Sequence, residues 1–186
     1  LKQEQKKYGI LLCGGDTAFS NKLSFSITSV GYSKKIVCRN NAKLNDDIYV
    51  TGNLGDSFIG LQVLKKKIKV NNKFSNFFVK KYYLPNLQIS FTKHLLKIAN
   101  ASIDISDGLI DDLKKMLNRQ NLSFQLIEKT IPVSNNLNKL IKSKKLEKMK
   151  IISNGDDYQV LFTADPNKSR IIKNISSSTG IKISKI

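Results

Sequence analysis

The chain has 186 residues and a formal net charge of +18, which would suit a polyanionic partner. However, only three of its 32 basic residues are arginines, and the lysines are scattered along the whole chain. Specific readers of nucleic acids use arginine forks and stacking aromatic side chains, and neither is concentrated here. We therefore expect no nucleic-acid partner, although a basic nucleic-acid-binding module stays open as an alternative.

The first predicted elements lie between residues 10 and 39. Apolar Ile10–Cys13 predicts a short strand, and clean alternation over Leu23–Tyr32 predicts a second strand, with a third over Ile36–Arg39. The double glycine of Gly14–Asp16 would let the backbone approach a ligand, and the aspartate would present a carboxylate there; an ordinary tight turn is the alternative. Arg39 could bind phosphate in a bidentate manner or simply face solvent.

The rest of the chain interleaves strands with helices, which predicts an α/β or α+β class with mixed sheets. Strands are predicted over 48–51, 102–105, 124–127, 159–163 and 181–186. Helices are predicted over 57–66, 74–83, 91–99, 109–118, 135–142 and 167–176. Asp56 or Ser57 is the expected cap of the first of these helices.

At the centre of the chain, a predicted strand turns directly into a helix at Ser106. The free N–H groups and the dipole of a helix N-terminus favour anions. Asp104 and Asp107 could both reach one hard cation, so the stretch has the chemistry of a magnesium–phosphate site. In the alternative interpretation, Ser106 or Asp107 only caps the helix, and Asp111 and Asp112 face water.

Composition also bears on the environment of the protein. The two cysteines, Cys13 and Cys38, form no CxxC pair, and no secretion signal or long apolar span is visible. We therefore predict a cytoplasmic protein with no membrane partner. The chain opens without Met and stops within a predicted strand, so we expect a piece of a longer protein.

Four blocks, in this order, resemble the thiamine-monophosphate kinases: Gly14–Thr17, Asp46–Gly52 with Gly55–Ser57, Asp104–Leu109 and Gly155–Tyr158. The resemblance runs from about Ile10 to Phe162 and includes one departure, since Asn154 stands where the family usually has glycine. It implies the two-domain fold of the aminoimidazole ribonucleotide synthetase-like superfamily, incomplete here. Residues 1–40 would be the remainder of the N-terminal ATP-binding domain, and residues 41–186 a truncated C-terminal α/β domain.

The resemblance also implies an activity, the transfer of the ATP γ-phosphoryl group to thiamine phosphate with Mg²⁺, giving thiamine diphosphate. It implies ATP contacts at Gly15, Asp16, Arg39 and Ser106, Mg²⁺ ligands at Asp16, Asp104 and Asp107, and a thiamine phosphate contact at Asp156. No catalytic side chain is assigned, because the acceptor is already an anionic phosphate and positioning with charge neutralisation is enough.

The family further implies a homodimer formed through the N-terminal domain, and an open sheet edge near Leu23–Val30 is expected if strands are missing. We expect the 186 residues alone to bind ATP weakly and not to turn over. A sister ATP-dependent enzyme, of the hydrogenase-maturation or purine-synthesis type, is the nearest alternative, because Asp104–Leu109 is shared in outline with those relatives.

Overall fold

The computed structural model describes residues 2–186 and divides the chain into two units, Leu1–Ser33 and Lys34–Ile186. In the first unit, helix α1 (Lys2–Tyr8) is followed by a stretch without helix or strand. The large apolar side chains of this stretch are exposed: Ile10, Leu11, Leu12, Phe19, Leu23, Phe25, Ile27, Val30 and Tyr32. The domain boundary between residues 40 and 41 stays a prediction.

The strands predicted over Ile10–Cys13 and Leu23–Tyr32 are wrong, and no sheet edge forms at Leu23–Val30. A strand needs a neighbour that takes its backbone hydrogen bonds, and the described residues offer none to either segment. The strand predicted over Ile36–Arg39 is also absent, because only one hydrogen bond, from the Ser102 N–H to the Cys38 carbonyl (3.3 Å), connects it to the sheet.

The second unit contains a four-stranded sheet in the order β2-β3-β1-β4. Its strands are β1 (Asp47–Thr51), β2 (Ala101–Asp104), β3 (Val160–Ala164) and β4 (Ile183–Lys185). All pairings are antiparallel, whereas we expected a mixed sheet. Strands β1 and β2 run in the same direction, but β3 lies between them and is antiparallel to both, so they form no parallel pair.

Seven helices surround this sheet within the described part of the second unit. They are α2 (Asp56–Leu64), α3 (Asn72–Tyr83), α4 (Ile89–Ile98), α5 (Leu109–Leu117), α6 (Asn135–Lys144), α7 (Lys148–Ile152) and α8 (Ser169–Thr179). Six of them confirm predicted helices, and α7 was not predicted. The strand predicted over Phe124–Ile127 is wrong: Phe124 and Leu126 pack against the core, but no strand pairs with them.

The sheet is covered on both faces, as expected for layered α/β architectures. On one face, Val50 and Leu161 pack against α5, which buries Leu109, Leu113 and Met116. On the other face, helices α4 and α8 bury a second cluster: Tyr49, Phe91, Ile98, Phe162, Ala164, Ile172 and Ile175. Among residues 2–186, no helix has both the length and the apolar character needed to cross a membrane.

Candidate functional site

Three corners of the chain meet at one edge of the sheet; two of them contain aspartates, and the third leads into Asp56. Strands β1 and β2 end at this edge, and β3 begins there because it runs antiparallel to both, with Asp104 opposite Val160. The loops Gly52–Gly55, Ile105–Gly108 and Asn154–Gln159 therefore lie side by side. Ligands in sheet-based folds commonly bind beyond the strand ends, where loops from separate strands converge.

Backbone hydrogen bonds lock two of these corners together. The Asp156 N–H donates to the Ser106 carbonyl (3.0 Å), and the Tyr158 N–H donates to the Ile105 carbonyl (2.8 Å). In return, the Ile105 N–H donates to the Gln159 carbonyl (2.9 Å). The corner that carries Asp156 is thus fixed against the end of β2.

Two glycines make this close approach possible. Gly108 has φ +127°, and a side chain there would overlap the Ser153 carbonyl. At Gly155, a Cβ atom would overlap the carbonyl of Ser106. Asn154, which stands where the family usually has glycine, needs no left-handed backbone, and its amide donates to the Lys150 carbonyl (2.6 Å). The corner therefore forms with asparagine at this position.

Asp112 determines the shape of the loop that follows β2. Its side chain is buried, and its Oδ2 atom accepts hydrogen bonds from the N–H groups of Ser106 (3.0 Å), Asp107 (2.9 Å) and Gly108 (3.1 Å). The alternative interpretation, in which Asp112 faces water, is therefore wrong for this residue. These N–H groups were also expected to favour an external anion, but the chain's own carboxylate already occupies them, as acids in the first turn of a helix often do.

The predicted cation ligands lie at the mouth of this loop. Asp104 is exposed at the end of β2, and the Asp107 side chain retains 63% of its accessible surface. Lys115 of α5 pairs with Oδ2 of Asp107 and with Oδ1 of Asp112 (2.9 Å). No group of three or more His, Cys, Asp or Glu residues within 2–186 is arranged as a metal site.

The donor chemistry at this edge nevertheless suits Mg²⁺. Two exposed carboxylates supply hard oxygen atoms, which Mg²⁺ prefers, and Mg²⁺ typically keeps several waters and uses only one or two protein carboxylates. The ion pair with Lys115 also shows that a positive charge can lie against the Asp107 carboxylate. Asp104 and Asp107 therefore fit the metal that the resemblance implies.

Tyr158 reports on the charge at the same edge. Burial raises the pKa of its hydroxyl, and the carboxylates of Asp156, Asp104 and Asp107 raise it further. The three predicted acids are thus close enough to act on one hydroxyl group. Asp156 itself is half-buried and has a positive φ of 67°, which is uncommon outside glycine.

The other predicted ATP contacts lie elsewhere or are less constrained. Gly15 and Asp16 are exposed in the first unit, where Oδ1 of Asp16 accepts a hydrogen bond from the Thr17 N–H (2.7 Å). Arg39 lies in an exposed turn of the second unit. Within the described residues, no hydrogen bond or ion pair connects Arg39 to Asp104 or Asp107. Ser106 is half-buried in the loop held by Asp112.

A second, buried pair of carboxyl groups lies where α2 begins. Neither Asp56 nor Ser57 caps this helix, contrary to prediction; its cap residue is Gly55, with φ 86°. Asp157 instead accepts hydrogen bonds from the N–H groups of Gly55 (2.7 Å) and Ser57 (3.5 Å). The Ser134 hydroxyl donates to Oδ1 of Asp56 (2.7 Å). The aspartate that follows the predicted substrate contact is therefore a structural cap.

Burial determines the protonation of this pair. Burial and the nearby Asp56 carboxylate together raise the pKa of Asp157 to about 7, against the hydrogen bonds from the start of α2. Burial likewise raises the pKa of Asp56 to about 6, although Ser134 and Lys81 oppose the shift. Asp56 and Asp157 line one narrow cleft together with Lys81 and Gln159.

Sequence reasoning missed Asp112, Lys115, Asp157 and Tyr158. The first two had a usable signal, since an acid in the first turn followed three residues later by lysine is typical of a helix-surface pair. Asp157 had no such signal, because its partner at Gly55 is 102 residues away in sequence. Tyr158 belongs to the Gly155–Tyr158 block, but its position beside three carboxylates depends on the locked corners.

Comparisons with known proteins bear on this arrangement. The chain is 33% identical to a thiamine-monophosphate kinase from Aquifex aeolicus over 166 residues, which cover 88% of this chain and 54% of the relative. It is 41% identical over 160 residues to the thiamine-monophosphate kinase of Buchnera aphidicola from Schizaphis graminum, covering 84% and 49%. The chain is a homologue of the thiamine-monophosphate kinases. It spans about half the length of these curated relatives. No protein-family model matches it.

Solved structures agree with this relationship. The thiamine monophosphate kinase of Aquifex aeolicus has a TM-score of 0.72 and 29% identity, and the match covers 84% of this chain and 50% of that one. A structure described as AaThiL complexed with AMPPCP and TMP has a TM-score of 0.69 at 29% identity, covering 81% and 46%. The hydrogenase maturation protein HypE of Escherichia coli shares the fold alone. Its TM-score is 0.58 at 12% identity, and the match covers 83% of this chain and 46% of that one. The fold is that of the aminoimidazole ribonucleotide synthetase-like proteins.

Proposed function

We propose that the protein carrying this chain transfers the γ-phosphoryl group of ATP to thiamine phosphate and produces thiamine diphosphate and ADP. The observation that carries the proposal is the pair of locked corners, which hold Asp104, Asp107 and Asp156 at one sheet edge in a homologue of thiamine-monophosphate kinases. The related structure described with AMPPCP, an ATP analogue, and TMP supports the same two substrates.

The chain's own residues would have separate roles in this reaction. Asp104 and Asp107 would hold Mg²⁺, and Asp156 would contact thiamine phosphate beside them. Gly15, Asp16, Arg39 and Ser106 would contact ATP, with Asp16 as a further metal ligand. Mg²⁺, when bound, neutralises the charge that develops on the transferred phosphoryl group. We assign no general base, because the acceptor is an anionic phosphate.

Other parts of the proposal follow from the resemblance and stay predictions. They are the homodimer formed through the N-terminal domain, the cytoplasmic location, and weak ATP binding without turnover by the 186 residues alone. Because the chain spans about half the length of its relatives, activity must be measured on the protein at its full natural length.

The decisive experiment compares two aspartate substitutions in that full-length protein. Asp104→Asn should lower Mg²⁺-dependent formation of thiamine diphosphate by at least about 100-fold, because it removes a charged ligand where phosphoryl charge is neutralised. Asp111→Asn is the matched control, since Asp111 is exposed on α5 and, among the described residues, forms an ion pair only with Lys114 (3.6 Å). It should retain activity within about twofold.

Circular dichroism and urea unfolding should show that both variants keep the wild-type fold. If Asp104→Asn is folded and as active as Asp111→Asn, Asp104 holds no essential metal. If the wild-type protein binds Mg²⁺ and ATP but forms no thiamine diphosphate, the substrate assignment is wrong, and the sister enzymes of the same fold become the better candidates.

A further inference from the structure

Two residues outside the predicted site, Asp112 and Lys115, connect α5 to the predicted cation ligand Asp107 and to the loop that follows Asp104. One oxygen atom of Asp112, Oδ2, accepts hydrogen bonds from three consecutive backbone N–H groups. Three convergent N–H groups form a concave anion site, and here a side chain of the following helix fills it. The backbone between β2 and α5 is consequently held in one conformation by a buried charge.

Lys115 extends this arrangement to the surface. It lies one turn beyond Asp112 on α5, so its ammonium group can reach both Oδ1 of Asp112 and Oδ2 of Asp107. The two carboxylates share one cation, and Asp107 is held towards the helix. Asp104, by contrast, has neither an ion pair nor a side-chain hydrogen bond within the described residues.

The two aspartates therefore differ in how many of their oxygen atoms are available to a divalent cation. Asp104 offers free oxygen atoms, whereas one oxygen of Asp107 is already paired with Lys115. The cation and the Lys115 ammonium group would share one carboxylate group, where their positive charges repel each other. Lys115 would have to give up Asp107, and it can do so without losing its hydrogen bond to Asp112.

We propose that Asp112 and Lys115 are positioning residues of the cation site: Asp112 fixes the loop backbone, and Lys115 occupies Asp107 until a divalent cation displaces it. The proposal rests on the assignment of Asp104 and Asp107 as metal ligands in the proposed function. It adds that cation binding exchanges one partner of Asp107 for another. The lysine keeps Asp107 oriented and charge-paired while the cation is absent.

The test is Mn²⁺ binding to the 186-residue chain, followed by the electron paramagnetic resonance signal of free Mn²⁺. Lys115→Met removes the competing ammonium group and should tighten binding roughly three- to tenfold, a modest effect because exposed ion pairs are weak. Lys115→Arg should restore the wild-type affinity. Lys114→Met is the matched control: it removes the same charge from the same helix, and within residues 2–186 Lys114 forms an ion pair only with Asp111.

Backbone amide spectra provide a second readout that does not depend on activity. Mn²⁺ should broaden the resonances of Asp104 and Asp107 first. Asp112→Asn should speed hydrogen exchange at the amides of Ser106, Asp107 and Gly108 and weaken Mn²⁺ binding several-fold, because the loop loses its charged acceptor.

The proposal is overturned by any of three results. These are no Mn²⁺ binding by the wild-type chain at millimolar concentration, equal affinities of Lys115→Met and Lys114→Met, or broadening centred away from Asp104 and Asp107. Failure of the proposed function has a different signature. In that case Mn²⁺ binding changes as expected, but the full-length protein forms no thiamine diphosphate.

Discussion

Asp156 and Asp157 are neighbours in sequence with opposite surroundings. Asp156 is half-buried beside the exposed acids at the end of β2, whereas Asp157 is buried and accepts hydrogen bonds from the start of α2. Alternation of the backbone at this corner directs one carboxyl group to the candidate site and the other into the protein. A motif of two adjacent acids therefore combines a predicted ligand-binding group with a structural one.

The buried carboxyl pair predicts a stability that depends on pH. Burial raises the pKa of Asp157 to about 7 and that of Asp56 to about 6, both above the value of an unfolded aspartate. Ionisation of either group therefore favours unfolding. The stability that the neutral forms contribute is complete below about pH 4 and is lost as the pH rises through 7.

We expect Asp157→Asn to flatten this dependence. Between pH 5 and 8, the free energy of unfolding of the wild-type chain should fall relative to that of the variant by a few kcal/mol, since each pKa unit corresponds to about 1.4 kcal/mol. Urea unfolding at several pH values measures the difference. Asp165→Asn is the control. Asp165 is not buried, and its side chain accepts a hydrogen bond from the Asn167 N–H and forms none with Asp56 or Asp157 among the described residues. Parallel curves for wild type and Asp157→Asn would contradict the assignment.

At the scale of elements, the helices show which sequence signals were sufficient. Helix α6 begins where predicted, because Ser134 caps it by accepting from the Leu137 N–H (3.0 Å). Helix α2 begins near its predicted start for a different reason, since its cap comes from Asp157 across the sheet edge. Local capping could be predicted from the sequence, whereas capping by a distant residue could not.

The strands show the same division. The apolar pattern of the sequence predicted β1 and β3 correctly, because each finds a partner within the second unit. It also predicted a strand over Leu23–Tyr32, where the described residues provide no partner. The corner Asp104–Leu109 was recognised from its own residues, but the role of Asp112 depends on a bend that brings three N–H groups together.

The cap of α6 gives a prediction at this scale. Ser134→Ala removes the acceptor for the Leu137 N–H and also the hydroxyl that donates to the buried Asp56. We expect a loss of about 2 to 3 kcal/mol, the sum of a lost helix cap and an unsatisfied buried carboxyl group. Asn71→Ala, which removes the exposed cap of α3, should cost only about 1 kcal/mol.

Urea unfolding of the two variants measures this difference at constant pH. Because Ser134 opposes the rise of the Asp56 pKa, its removal should raise that pKa further and increase the loss above pH 6. Equal losses in Ser134→Ala and Asn71→Ala would mean that the contact with Asp56 contributes nothing to stability.

For the whole molecule, the distribution of buried apolar residues separates the two units. All three clusters of buried hydrophobic residues belong to Lys34–Ile186, while the described residues of the first unit include no buried side chain. Hydrophobic burial is the main favourable contribution to folding. The cooperative stability of the chain should therefore belong to the second unit.

Removing residues 1–33 should accordingly leave the free energy of unfolding within about 1 kcal/mol of that of the 186-residue chain, with a similar dependence on urea, since that dependence follows the surface exposed on unfolding. The shortened chain should also aggregate less, because nine exposed apolar side chains are removed with the first unit. Urea unfolding followed by tyrosine fluorescence, together with light scattering, measures both effects. If the shortened chain unfolds without cooperativity, the prediction is wrong. The three buried clusters of the second unit would then be insufficient to stabilise the sheet without the first unit.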